Sequence, residues 1–167
     1  MSCLGSSIIA GASGQGVTDY AIERSLRFNS ADSAYLNRTP SSASNRKTWT
    51  WSGWVKRSKL GVDQFFLACV ESTTIYSQFG FNSDDTLRVQ FKDSSANSNN
   101  KTSAVFRDTS AWYHIVLICD TTQAAVGNAI KMYVNGNQQT VTATINSGSY
   151  AQNLDTYVNA VSISQRL

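Results

Sequence analysis

Ser110 to Gly136, SAWYHIVLICDTTQAAVGNAIKMYVNG, decides the fold. Its first arm, Trp112 to Cys119, is almost wholly aromatic, β-branched or aliphatic. That composition suits a strand with both faces at least partly covered. The second arm, Ile130 to Asn135, alternates, with Ile130, Met132 and Val134 on one face and Lys131, Tyr133 and Asn135 on the other. Between them Asp120 to Asn128 is polar or small, with Gly127 as a breaker. Asn135-Gly136 reads as a tight turn, because both residues tolerate positive φ. The stretch is a β-hairpin, and a hairpin this apolar needs a second layer to cover it.

Working outward, composition favours an all-β domain. Four Trp, seven Tyr and seven Phe sit in short runs separated by Ser, Asn, Thr, Asp and Gly. A chain of 167 residues is one domain's worth. The net charge of +3 is mild, and Arg46-Lys47 and Lys56-Arg57-Ser58-Lys59 read as solvated strand ends and loops. No basic stripe of the kind a nucleic-acid groove uses is present, so no nucleic-acid partner is expected. Cys3, Cys69 and Cys119 lack metal-ligand or redox spacing. Cys69 and Cys119 read as small core residues, a bridge between them being the alternative. Ile8-Ile9-Ala10 is too short for a signal h-region or a membrane span, so neither a signal peptide nor membrane insertion is expected.

Residues 1–18, MSCLGSSIIAGASGQGVT, are Gly/Ser-rich and uncharged. They read either as a disordered terminus or as an arm that orders only against a partner, with Cys3, Leu4, Ile8 and Ile9 as anchors. The domain, taken as residues 19–167, opens with a strand at Ser25–Asn29, Leu26 and Phe28 facing in, and a short strand at Tyr35–Arg38. Further strands are expected at Thr48–Arg57, Gln64–Val70, Tyr76–Phe81, Leu87–Phe91, Val141–Ile145 and Thr156–Ile163. In the third of these eight, Trp49, Trp51, Gly53 and Val55 share one face and Thr50, Ser52, Trp54 and Lys56 the other. Ser94–Thr102, SSANSNNKT, reads as a low-complexity polar loop and an exposed tip. Short strands at this spacing, with no helical period, point to an antiparallel two-sheet sandwich.

The order SLRFNSADSAYL, WTWSGWVKRS, FGFNSDDTLRVQF, SAWYHIVLICD, IKMYVNG resembles the concanavalin A-like, laminin-G-type jelly-roll domains. With its Gly/Ser-rich leader it is most similar to versions in tailed-bacteriophage virion proteins. The resemblance implies a jelly-roll sandwich displayed on a particle, made in the host cytoplasm and located at the virion surface. It implies other virion proteins as partners, a homo-oligomer, and a role as capsid decoration or tail component with lectin-like host adhesion. A free glycan-binding module is the alternative. The family's usual closing strand, of the type f-G-y-i-d-E-v, is missing here. Either Thr156–Ile163 takes its place, the chain is a truncated part, or a neighbouring subunit supplies the strand.

Catalysis is not expected. Glu23 and Glu71 are the only glutamates, and no alternating acids stand ready to flank a glycosidic bond. His114, the only histidine, reads as a core or edge imidazole, and no nucleophile elbow, P-loop or zinc spacing occurs. The resemblance makes Asp84, Asp85, Asp120 and Asn128 candidates for a calcium site, against their ordinary reading as turn residues. No other cofactor is expected. For a polysaccharide ligand the candidate contacts are Tyr35, Tyr76, Trp112 and Tyr150, with Asn82, Asn99 and Asn153 as companions in type.

Overall fold

A computed structural model describes residues 25–93, 97–144, 152–160 and 165–166. Two compact units divide the chain, Met1–Ala34 and Tyr35–Leu167. The described part of the first holds a 3-10 turn at Ser30–Asp32, closed by the Asn29 amide donating to Asp32 Oδ2 at 2.8 Å. Ser25–Asn29 forms no strand, and Leu26 and Phe28 are exposed. This corrects the expected inward-facing first strand: five residues alternate, but no partner strand pairs with them among the described residues.

The second unit is a two-sheet antiparallel sandwich. Its strands are β1 (Asn37–Arg38), β2 (Thr48–Lys56), β3 (Gln64–Ser72), β4 (Ile75–Phe81), β5 (Thr86–Lys92), β6 (Asn97–Val105), β7 (Trp112–Asp120), β8 (Ile130–Val134), β9 (Asn137–Gln138), β10 (Val141–Thr144) and β11 (Gln165–Arg166). One sheet runs β1-β11-β3-β4-β5-β6-β10 and the other β2-β7-β8-β9. A single helical turn, α1 (Val126–Ala129), lies between β7 and β8. The hairpin pairs as read, from Ile115 opposite Val134 to Cys119 opposite Ile130. Asn135 and Gly136 take φ of 50° and 81°, the left-handed turn conformation that lets β9 fold back on β8.

Alternation builds the core. Tyr113, Ile115, Leu117 and Cys119 of β7 are buried, as are Ile130, Met132 and Val134 of β8. Leu67, Cys69, Phe79, Phe81, Leu87, Val89 and Phe91 face them from the larger sheet. Trp51 stacks on Phe66 at 5.3 Å and meets Phe79 edge-on at the same distance. Phe66 reaches this cluster through an irregularity in β3 between Phe65 and Leu67, which lets Phe66 and Leu67 both serve the core. Cys69 and Cys119 are free thiols, and burial pushes each pKa up to about 12. The other face of β7 is less covered than its composition implies: Trp112 and Ile118 are exposed.

Two further expectations are corrected. Asn97–Val105 is a nine-residue strand, not a loop, with Ser98, Asn100 and Thr102 buried. It pairs with β5 on one side and β10 on the other, so its backbone is satisfied by ladders whatever its side chains are. Thr156–Ala160 is a tucked turn rather than a strand. Thr156 donates to the Arg46 carbonyl through N (3.1 Å) and Oγ1 (2.7 Å) and accepts from Trp49 Nε1. Leu154 and Val158 plug the core beside it. The strand that runs between β1 and β3 is Gln165–Arg166.

Candidate functional site

Strand register brings a row of side chains together on the outer face of the larger sheet. Leu87, Val89 and Phe91 point inward, so Arg88, Gln90 and Lys92 point outward. Gln78, Gln90 and Asn99 stand opposite one another across β4, β5 and β6, and Tyr76, Lys92 and Asn97 form the adjacent row. Gly80, Arg88 and Lys101 make the third. No carboxylate lies among these outward residues. Gln90 Nε2 donates to Asn97 Oδ1 at 3.0 Å, and Lys92 Nζ lies 5.7 Å from the Tyr76 ring centre. Arg88 and Lys101 are drawn aside to Asp63 (3.4 Å) and Asp84 (2.7 Å). The middle of the face is therefore an uncharged amide band beside an aromatic ring, its central Gln90 buried between its neighbours and Asn99 Oδ1 buried without a partner.

Of the sequence-derived glycan candidates, Tyr76 and its companion Asn99 share this face. Tyr35 is half-exposed elsewhere, its ring covered by the Arg166 guanidinium at 4.5 Å. Trp112 lies on the outer face of the smaller sheet, where Trp54 and His114 also stand. Trp54 is 55% exposed, and its ring is 5.0 Å from that of His114, whose Nε2 meets Ser52 Oγ at 3.2 Å. His114 is thus an outer-face imidazole. Tyr150, Cys3, Leu4, Ile8 and Ile9 lie outside the described residues. Gln78, Gln90 and Asn97 were not candidates; the alternation of β4 and β5 puts the glutamines outward, but only the register reveals that they align.

The calcium candidates separate. Asp85, in a left-handed turn at φ 67°, accepts from Gly61 N at 2.9 Å and Arg107 Nε at 3.0 Å, and pairs with Arg57 Nη2 at 3.0 Å. The Gly61 amide and the Arg107 guanidinium, with Arg57, hold its carboxyl below the usual carboxylate range against the effect of burial. At Asp84 burial acts to raise the pKa, and hydrogen bonds from Lys101 and Thr86 outweigh it. Asp120 accepts from Thr122 and Gln123, and Asn128 is exposed on α1. Asp120 stands opposite Thr48, whereas Arg57 follows Lys56 at the far end of the same strand pair. Nine residues of strand, about 27 Å, lie between the two places, and no cation bridges that. Asn82 and Asn153 lie in separate turns, Asn153 at φ 63°. Among the described residues no three His, Cys, Asp or Glu side chains gather as a metal site.

Arg57 is the surprise of the basic run. Its side chain is fully buried, 4.3 Å above the Phe81 ring, and donates to the Phe106 carbonyl at 2.6 Å and to Gln64 Oε1 at 3.1 Å. It ties three inter-strand connections together and faces no solvent. No helix among the described residues is long and apolar enough to cross a membrane.

A family model of laminin G type, described as the concanavalin A-like lectin/glucanases superfamily, matches residues 28–162. No curated protein and no solved structure matches the chain.

Proposed function

The chain belongs to the concanavalin A-like lectin/glucanase superfamily, and from that premise we propose that it is a non-catalytic structural protein of a bacteriophage particle, displaying its sandwich for adhesion to a host polysaccharide. The observation that carries the adhesive reading is the alignment of Gln78, Gln90 and Asn99 beside the Tyr76 ring. Amides donate and accept at fixed spacing, as sugar hydroxyls require, and an aromatic ring offers an apolar face for a pyranose. Among the described residues of these three rows no acid points outward, and the two nearby carboxylates, Asp63 and Asp84, are engaged by Arg88 and Lys101, which favours holding a glycan over cleaving it with a carboxylate pair. The particle setting is supported by the likeness of the leader and the first strands to virion proteins. Fold alone carries little weight here.

Two experiments test the two halves. Proteomics of gradient-purified particles from the source is expected to find the chain at fixed stoichiometry; its absence from particles would remove the structural role. A broad glycan array is expected to show binding that Tyr76→Ala weakens at least tenfold at unchanged stability. Silence across the array, with and without calcium, would remove the adhesive role.

A further inference from the structure

The four sheet edges of the described sandwich are unequal. β1 and β9 have two residues each and β10 has four, but β2, the edge of the smaller sheet, has nine. β2 pairs with β7 without a break in register from Thr48 to Lys56. It contains no proline and no bulge, and its one charged residue, Lys56, stands at its end. Proteins normally blunt an edge of this kind, because it presents a ready template for another strand.

Its free backbone groups can be assigned. Thr121 N donates to the Lys47 carbonyl at 2.9 Å, so the residues of β2 bonded to β7 are the odd-numbered ones. The N–H and C=O of Thr48, Thr50, Ser52, Trp54 and Lys56 therefore point away from β7. No strand pairs with that side among the described residues. The side chains of these five residues also share the outer face of the sheet, and all five are exposed.

The geometry points to a second copy of this chain as the occupant, with the two β2 strands antiparallel about a two-fold axis at Ser52. Thr50 then stands opposite Trp54 of the second copy, and Lys56 opposite Thr48. The Thr50–Trp54 pairs and the Ser52 pair each exchange two hydrogen bonds through outward backbone groups. At the ends the Thr48 N–H already donates to Asn45 Oδ1 at 2.9 Å, so there only the Lys56 N–H of the second copy, donating to the Thr48 carbonyl, adds a bond. The strand is self-complementary in this register. The small Thr50 and Ser52 leave the seam uncrowded, since the half-exposed Trp54 ring leans onto His114 of its own chain. Lys56 approaches Asp120, which is registered with Thr48, while the two Lys56 side chains lie at opposite ends of the seam. The four-stranded sheets join into one continuous sheet across the pair. An axis perpendicular to that sheet turns both seven-stranded faces to the same side. On the reading above, the pair would present two adhesive faces together and gain from avidity.

The test is sedimentation velocity of the full chain over a wide concentration range. The native protein is expected to dimerise. Ser52→Lys and Ser52→Glu each place like charges against each other across the axis, and each variant is expected to lose the dimer with its circular dichroism unchanged. Mixed in equal amounts, the two are expected to form a heterodimer, since position 52 then meets its opposite charge. In native protein the amides of Thr50 and Trp54 should exchange more slowly as concentration rises. A native chain monomeric at all concentrations, or a dimer that survives in Ser52→Lys, would overturn the proposal.

Discussion

Gly80 shows how much one residue can decide. A Cβ at this position would lie 2.0 Å from the Gln64 carbonyl oxygen and 2.7 Å from Phe65 Cα, where β3 crosses at its irregularity. Both neighbours are backbone, so no side chain can swing away. Gly80→Ala is expected to destabilise the fold by about 1–3 kcal/mol or more, read as a lower urea midpoint at unchanged slope. An unchanged midpoint would mean that β3 yields without cost. The glycine is visible in the sequence, but the reason for it is not, since the close approach belongs to another strand. Arg57 was hidden in the same way. A lysine/arginine run at a strand end reads as solvated, and only packing against Phe81 and Asp85 buries its second member. Tyr76 was named in the sequence by residue type alone; that it lies beside Gln78, Gln90 and Asn99 could not be read there, because register is a long-range property.

Among the elements, β6 departs furthest from its sequence. A strand reading NSNNKTSAV carries little β propensity, yet its inward side chains satisfy one another. Asn100 Nδ2 donates to Ser98 Oγ at 2.8 Å, and Thr102 Oγ1 accepts from Leu87 N and donates to the Ala104 carbonyl. Of these inward groups Asn100 Oδ1 is left without a partner. Ser98→Ala should cost about 1–3 kcal/mol, because it strands the buried amide further. The double change Ser98→Ala with Asn100→Leu removes donor and acceptor together and is expected to match or exceed the native urea midpoint. A double variant weaker than Ser98→Ala would show that the polar pair contributes more than its hydrogen bond. By contrast β2, β5 and β8 were plain in the sequence, since each alternates strongly enough for burial to follow from order alone, and β7 was plain as a strand from its aromatic and aliphatic run, though not which of its faces is buried.

At the scale of the molecule, the turns are held by carboxylates. Asp84, Asp85, Asp108 and Asp120 all have pKa values below the ordinary range, because each accepts hydrogen bonds: Asp108 and Asp120 from donors in their own turns, Asp84 from Lys101 and Thr86, and Asp85 from Gly61, Arg107 and Arg57. In the unfolded chain such groups titrate near about 3.9. Below that pH the unfolded state takes up protons that the folded state refuses, so the stability these groups confer is present above about pH 4 and lost as pH falls further. The urea midpoint is expected to fall steeply below about pH 4, and to be insensitive to these groups between about pH 5 and 8. A midpoint constant down to about pH 3 would contradict this. By itself the sequence determined the class of fold and the central hairpin, because hydrophobic alternation at period two is a local property that fixes which side of a strand is buried. It determined, too, that Asp84-Asp85 and Asn135-Gly136 turn the chain. Only the tertiary structure decided that a serine- and asparagine-rich stretch becomes a strand, that Gln78, Gln90 and Asn99 align, and that β2 is left as a long edge. Each of these depends on which strands lie side by side and in what register. That is settled by contacts between residues far apart in sequence, and no short window of residues contains them.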